Sequence, residues 1–356
     1  MNNKLFLQQK ILYIWLKISK IMIQRIYQFA ILAIFVLAIT SCEKNPQFKV
    51  GLLMDDTLQE RWEKDMYFIE SELKELNGKT STLWAYGDEN LQYQQALDLI
   101  REGVDILIII PVNLEAAAAI VAEAHKMDIK VIAYDRLIKN CDLDYYVSFD
   151  NVQVGFMQAS YCANLSPKGD YAIINGPTKD NNSFLLQLGQ MAYLQPLVEK
   201  GDINIKYQVF STEWNVEQGN KNFIESLKTS DSIKAFICGN DALALGAING
   251  YKSLDSTLSK NYLFTGQDAD IKNCKLVLEG TQSMTVYKPI KKAAQIAALI
   301  AQSLVFEKDI TAEGQTTVNN NKLMVPTILI PPISLDKTNL KETLITEGFF
   351  NEEDFN

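Results

Sequence analysis

Asp135 and Arg136 are the residues whose types and position first indicate a binding site in this sequence. They follow four apolar or aromatic residues, Val131 to Tyr134, inside the stretch "IKVIAYDRLI". A continuous apolar run of this kind is typical of a strand covered on both faces of a parallel sheet. The carboxyl ends of such strands open onto the ligand crevice. A carboxylate and a guanidinium there could bind a polar ligand, although a surface ion pair at a strand end would give the same pattern.

Polar and aromatic side chains follow the other apolar runs in the same way. Asp and Asn at these points are also ordinary helix N-caps, and that role alone would explain some of them. It does not explain two arginines and two tryptophans. Core packing is a separate alternative for both tryptophans, and it is stronger for Trp62, which also falls on the apolar stripe of a predicted helix, than for Trp214. The candidate site residues are Arg61, Trp62, Lys64, Asp135, Arg136, Asp180, Asn182, Trp214, Asn240 and Asp268.

This combination of side chains suits a monosaccharide. Sugar hydroxyls donate and accept hydrogen bonds at once, so they need carboxylates and amides beside planar guanidinium donors. The C–H faces of a sugar ring need flat apolar surfaces, which Trp62 and Trp214 could supply from opposite sides. The sequence therefore predicts a sugar-binding site at the strand ends.

The elements that would position these residues alternate between strand and helix from Phe48 onward. This rhythm predicts right-handed parallel crossovers and hence an α/β fold. The chain is too long for one core, which favours two doubly wound parallel-sheet lobes. We expect an N-terminal lobe over residues 48–150 plus 284–311 and a C-terminal lobe over 151–283 plus 312–350. Short crossing segments near residues 150, 283 and 312 would form a hinge.

Residues 1–41 have the features of a secretory signal peptide. They carry five basic residues and no acidic one, and they end in the apolar run "FAILAIFVLAIT" before Ser41 and Cys42. A basic region, an apolar region and small residues before the cut are typical of such signals. The stretch "AITSC" resembles a bacterial lipobox, which makes Cys42 the predicted lipidated residue of a protein anchored in the bacterial cell envelope. An uncleaved membrane anchor is the alternative.

The charge of the remaining chain argues against nucleic acid as a partner. The whole sequence has 34 basic and 43 acidic residues, and without the first 41 residues its net charge is −14. Such a chain is repelled by polyanions and by anionic membrane surfaces.

Neither an enzyme nor a cofactor protein is indicated. His125, the one histidine, falls on a predicted helix and is expected to face solvent, which disfavours histidine-based catalysis. Asp55 and Asp56 are adjacent on a strand and would point to opposite faces, which does not suit a glycosidase pair. No phosphate-binding glycine loop and no zinc-ligand spacing occur. Whether any of the cysteines forms a disulfide is left open by their spacing; they are Cys141, Cys162, Cys238 and Cys274.

Seven motifs in order carry a family resemblance: "DDTLQERWEKD", "AYDR", "SFDN", "GPTKDNN", "GNDA", "GQDAD" and "GTQSMTVYKPI". Together they resemble the periplasmic sugar-binding proteins of ABC importers, and among these the members that bind D-xylose. The resemblance implies two lobes with a three-segment hinge that close over one pyranose. It also implies that the ten residues named above contact the sugar. Import through a membrane permease and presentation of the closed form to a sensor receptor or kinase both remain open.

Overall fold

A computed structural model describes residues 47–57, 59–254, 261–310 and 314–355, together with the isolated positions 15, 17, 20 and 22. The predicted signal segment and Cys42 therefore lie outside the described residues, apart from those four positions. Across these ranges, no helix is both long enough and apolar enough to cross a bilayer.

A seven-stranded sheet forms the first lobe. Its strands are β1 (Phe48–Met54), β2 (Gly78–Trp84), β3 (Ile106–Ile109), β4 (Lys130–Tyr134), β5 (Tyr145–Phe149), β11 (Gln315–Asn319) and β12 (Met324–Ile330). Their order is β11-β12-β5-β4-β3-β1-β2, and only the β11–β12 pairing is antiparallel. Side chains alternate between two apolar cores: Leu52 faces one, and Leu53 faces the other. Both faces are therefore covered, as the continuous apolar runs predict.

A four-stranded parallel sheet forms the second lobe. Its strands are β6 (Gly169–Asn175), β7 (Ile203–Phe210), β8 (Ile233–Cys238) and β9 (Leu263–Thr265), in the order β7-β6-β8-β9. Ile173 and Ile174 of β6 again belong to cores on opposite faces. Two short antiparallel strands, β10 (Thr285–Tyr287) and β13 (Ile333–Leu335), pair with each other outside both sheets. The predicted α/β fold is confirmed.

Helices connect the strands as crossovers. They are α1 (Arg61–Glu75), α2 (Glu89–Arg101), α3 (Ala118–His125), α4 (Asn151–Leu165), α5 (Asn181–Glu199), α6 (Val216–Thr229), α7 (Asp241–Lys252), α8 (Ile271–Glu279), α9 (Ile290–Val305) and α10 (Leu340–Thr346), followed by a 3₁₀ turn (Glu352–Phe355). The apolar stripe of α1 is buried as its spacing predicts, with Trp62, Ile69 and Leu73 in the core of the first lobe. The four cysteines of the described part are buried free thiols.

The strand pairing corrects the predicted position of the third crossing. The sequence pattern places residues 312–350 in the second lobe, but β12 pairs with β5 and β11 pairs with β12, so both strands belong to the first sheet. Leu340 and Leu344 of α10 also pack in a core of that sheet. Residues 315–330 therefore belong to the first lobe, and the chain does not leave that lobe near residue 312. The apolar run of β12 fits either sheet, and its sequence alone cannot specify the pairing partner.

Candidate functional site

A narrow cavity, with a free volume of about 10 Å³, lies where the carboxyl ends of strands from both sheets face each other. Its lining combines carboxylates, amides, guanidinium groups, an ammonium group and two indoles, and all of these residues are buried. They are Gln59, Arg61, Trp62, Asp135, Arg136, Asp180, Asn182, Trp214, Asn240, Gln267, Asp268 and Lys288. The structure thus brings nine of the ten predicted residues to one cavity.

Lys64 is the exception, and its role as a ligand contact stays a prediction. It lies one turn after Arg61 on α1, but it does not line the cavity. Its ammonium group lies 4.1 Å from the ring centre of Phe349 and 3.5 Å from that of Phe350. Cation–π attraction to these C-terminal rings holds the side chain away from the cavity.

Three lining residues were not predicted: Gln59, Gln267 and Lys288. Lys288 follows β10, a strand of only three residues, so no long apolar run marks its position. Gln267 directly precedes the predicted Asp268, and Gln59 lies two residues before Arg61, where α1 begins. Their positions in the stretches "TGQD", "VYKP" and "LQERW", beside predicted site residues or a strand end, could have indicated them.

Arg61 joins the two lobes through its guanidinium group. Nε donates to Asp65 Oδ2 at 2.8 Å. Nη1 lies 2.9 Å from Asp135 Oδ2 and 3.4 Å from Oδ1 of Asp268, which follows β9 in the second lobe. Nη2 is buried and has no hydrogen-bond partner in the described part of the chain. A buried donor without an acceptor is costly, so Nη2 is suited to a ligand oxygen.

Arg136 makes a second connection between the lobes. Nη1 pairs with Asp55 at the end of β1, and Nε lies 2.8 Å from Asp180 Oδ2 in the second lobe. When the Gln59 amide is oriented to satisfy its neighbours, its oxygen accepts from Arg136 Nη2 and Trp62 Nε1, each at 3.2 Å. Every nitrogen of this guanidinium group is therefore fixed by a neighbour, and its planar fork becomes a rigid part of the cavity wall.

Asp135 adopts a backbone conformation that is uncommon for a residue with a side chain. Its φ is +61°, in the left-handed region. The backbone N–H of Asp135 donates to Val147 O at 2.8 Å, and its carbonyl accepts from Tyr146 Oη at 2.9 Å and Ser148 Oγ at 2.6 Å. These three bonds to β5 hold the strained turn. Backbone strain maintained in this manner is typical of binding sites.

Trp214 lies against two glycines at the ends of β6 and β8. A Cβ atom at Gly176 would lie 2.1 Å from the indole, and one at Gly239 would lie 2.8 Å from it. Its Nε1 donates to Asp180 Oδ2 at 3.0 Å, which fixes the plane of the ring. Trp62 both packs in the core of the first lobe and lines the cavity. The two proposed roles of Trp62, core packing and site wall, are therefore compatible.

Two of the predicted residues are helix N-caps as well as cavity residues. Asp180 accepts from Asn182 N at 2.8 Å before α5, and Asn240 accepts from Leu243 N at 2.9 Å before α7. The starts of these helices consequently face the cavity, with one capping side chain at each.

Neighbouring charges keep Asp135 ionised, and the positive and negative side chains of the lining are equal in number. Burial opposes the ionisation of Asp135, but the charges of Arg61, Lys288 and Arg136 outweigh it and lower its pKa to about 2. Lys288 Nζ lies 2.9 Å from Asp268 and 3.7 Å from Asp135. Among the described residues, three cations and three carboxylates line the cavity; this charged clamp consists of Arg61, Arg136, Lys288, Asp135, Asp180 and Asp268. A lining without net charge favours a neutral polar ligand.

Behind the clamp, burial raises the pKa of Asp55 to about 6, against the opposing charge of Arg136. Its Oδ1 has no partner in the part of the chain that the structure describes. Asp55 does not line the cavity. It therefore supports Arg136 from the first lobe, whereas Asp180 contacts the same guanidinium from the second.

Two facing sheet lobes with a buried polar cavity between them are typical of a periplasmic-binding-protein fold. The family model of the periplasmic binding protein domain matches residues 50–309. The chain belongs to this family, and the prediction of a binding protein that is not an enzyme is thereby confirmed.

Individual relatives agree with this membership. The chain is 38% identical over 315 residues to the D-xylose-binding periplasmic protein of Haemophilus influenzae, covering 88% of this chain and 94% of that protein. It is also 38% identical to the D-xylose-binding periplasmic protein of Escherichia coli, covering 86% of this chain and 92% of that one. Among solved structures, a carbohydrate transporter solute-binding protein from Chloroflexus aurantiacus in complex with D-glucose matches with a TM-score of 0.80 and 28% identity, covering 87% of this chain and 99% of that one.

Proposed function

We propose that this protein captures a neutral monosaccharide, D-xylose, between its two lobes and delivers it to the permease of an ABC importer. One observation carries the proposal. The cavity is closed by buried polar side chains from both lobes, and its charged groups balance. Such a site offers hydrogen bonds of both polarities without demanding a charged ligand. The similarity to D-xylose-binding proteins supports xylose in particular.

The closed lining of the cavity favours a single sugar ring. In this form the free volume is only about 10 Å³, which is room for about one water molecule, so the lobes must part to admit a ligand. The lining residues are at most 8% exposed, so the described lining offers little access for a second sugar unit to extend into solvent. A monosaccharide therefore fits the site better than an oligosaccharide.

Hinge closure is the mechanism that follows from the contacts between the lobes. Arg136 pairs with Asp180, and Asn182 Nδ2 donates to Asp135 Oδ1 at 2.9 Å, so both bonds exist only when the lobes meet. In an open form, Arg61, Asp135 and Arg136 of the first lobe would receive the sugar. The second lobe would add Trp214 and its carboxylates on closing. The ligand then shifts the population toward the closed form, because only that form offers it all of these contacts.

The cellular setting that we propose is the periplasm, with a lipid anchor at Cys42. The periplasmic relatives support the compartment. The basic and apolar segment that ends in "AITSC" supports the anchor. A tethered binding protein stays close to its membrane partner, which raises its effective concentration there.

A thermal-shift screen of pentoses, hexoses and sugar acids tests the ligand class. A ligand at about 100 times its Kd stabilises the folded state by about 2.7 kcal/mol, which is easily detected as a higher Tm. D-xylose is expected to give a large shift, and the sugar acid D-xylonate none, because its carboxylate would unbalance the clamp. A shift with arabinose, ribose or galactose alone would exclude xylose. A shift with sugar acids alone would contradict the neutral-ligand proposal.

A further inference from the structure

Asp65 is a fully buried carboxylate that lies behind the sugar site and does not line the cavity. Both of its oxygens are used. Oδ2 accepts from Arg61 Nε at 2.8 Å, and Oδ1 accepts from Tyr134 Oη at 2.7 Å. Arg61 begins α1, and Tyr134 ends β4 immediately before Asp135. Asp65 therefore ties the helix that provides one arginine of the clamp to the strand that leads into Asp135.

The bond to Nε fixes more than one atom of Arg61. A guanidinium group is planar, so the position of Nε and the direction of its N–H set where Nη1 and Nη2 lie. In this orientation Nη1 reaches Asp135 in the first lobe and Asp268 in the second. Nη2 is left without a partner in the described residues, as a donor for a ligand. A rotation of the guanidinium group would move both nitrogens and disrupt the contact between the lobes.

Charge neutralisation alone is a poor explanation for Asp65. Arg61 already has two carboxylate neighbours in the clamp, Asp135 and Asp268. Burying a further carboxylate is costly, and burial accordingly raises the pKa of Asp65. An apolar side chain at this position would avoid that cost but would leave Nε of Arg61 free to turn. Burying Asp65 thus lowers the stability of the folded state but fixes the orientation of the Arg61 guanidinium group.

We propose that Asp65, held by Tyr134, is a positioning residue for ligand binding: it orients Arg61 so that one nitrogen closes the lobes and the other binds the sugar. This inference rests on the proposed function, because it assumes that the cavity binds a monosaccharide. Asp65 itself touches no ligand and acts only through Arg61. The hydroxyl of Tyr134 prevents the carboxylate from following Arg61 if the guanidinium group moves.

The test compares D-xylose affinities by isothermal titration calorimetry for wild type, Asp65→Ala, Asp65→Asn and Tyr134→Phe. Asp65→Ala is expected to weaken binding by about 30-fold or more, since it frees a buried charged donor. Asp65→Asn should recover most of the affinity, because the amide oxygen can still accept from Nε while Tyr134 accepts from the amide nitrogen. Tyr134→Phe should weaken binding by about three- to tenfold.

Leu73→Ala provides the matched control for stability. Leu73 is a buried residue of the same helix, two turns beyond Asp65, and it does not line the cavity. Its truncation should lower Tm, as truncations of core leucines do, but leave the xylose affinity unchanged. The proposal is overturned if Asp65→Ala binds like wild type, if Asp65→Asn is as impaired as Asp65→Ala, or if Leu73→Ala loses affinity equally. A wild-type protein that binds no monosaccharide would instead refute the proposed function.

Discussion

Arg136→Ala is the substitution for which the structure allows the most detailed expectation. The side chain is 5% exposed and pairs with a carboxylate from each lobe, Asp55 and Asp180. Removing one partner of a buried ion pair typically costs about 3–5 kcal/mol, because the remaining charge is left uncompensated. Both carboxylates lose their cation at once, and the closed form carries this cost most strongly because only there do carboxylates from both lobes lie beside the missing cation.

Two features of the site reduce that cost. Trp214 Nε1 continues to donate to Asp180 in the variant, so this carboxylate retains one hydrogen bond. Asp55 can take up a proton near neutral pH, because its pKa is already raised to about 6 and removing Arg136 raises it further. We therefore expect a loss of at least about 2 kcal/mol in sugar binding, which corresponds to about a 30-fold higher Kd.

Isothermal titration with D-xylose measures this loss directly. Arg101→Ala is the matched control, because Arg101 is an exposed arginine whose ion pair, with Asp98, lies within the same helix. The control should bind like wild type. An unchanged xylose affinity for Arg136→Ala would remove Arg136 from the site and refute a role in binding for the ion pairs between the lobes.

Three further predictions address the wall, the pH dependence and the anchor. Gly176→Ala should weaken xylose binding at least about tenfold in calorimetry, because a Cβ 2.1 Å from the Trp214 ring forces the indole into the cavity; unchanged affinity would show that Trp214 is not a wall. Asp55 has a folded-state pKa of about 6, above its usual value, so its contribution to stability is present below about pH 4 and is lost as the pH rises through 6. The unfolding free energy of the wild type should therefore fall by up to about 3 kcal/mol between about pH 4 and 7 in denaturant titrations because of Asp55, and that of Asp55→Asn should lack this fall. An identical fall in the variant would contradict this. Cys42→Ser should move the protein from the membrane fraction to the soluble fraction, whereas retention at the membrane would favour the uncleaved anchor.

Long apolar runs explain why much of the fold could be predicted from sequence. The strand that ends at Tyr134 is covered on both faces, so its composition specifies its environment. The pairing partner of β12 could not be predicted in this way, because its apolar side chains would suit either sheet. The partner strand and the lobe to which a strand belongs depend on which hydrophobic core it packs in, and the local sequence pattern does not specify that core.

The site shows the same division. Residues directly after strand ends, such as Asp135 and Asp180, could be predicted because the parallel sheet brings these ends together. The position of Lys64 outside the cavity could not be predicted, since it involves contacts with Phe349 and Phe350, which lie near the far end of the chain. Asp65 was not predicted either. In the sequence Asp65 resembles any acidic residue of a surface helix. Only the folded structure shows that it is buried and bonded to Tyr134.

A crystal structure of the complex with D-xylose would test the central claim most directly. We predict one pyranose enclosed between the lobes, with a hydroxyl on Arg61 Nη2, others on Asp135 and Asp268, and a ring face on Trp214. A second, solvent-exposed crevice has Asp56 and Tyr86 of the first lobe on one side and Lys179 and Glu213 of the second lobe on the other, and binding there is the contrasting outcome. Xylose bound there, with the charged clamp in contact with no sugar, would contradict the account.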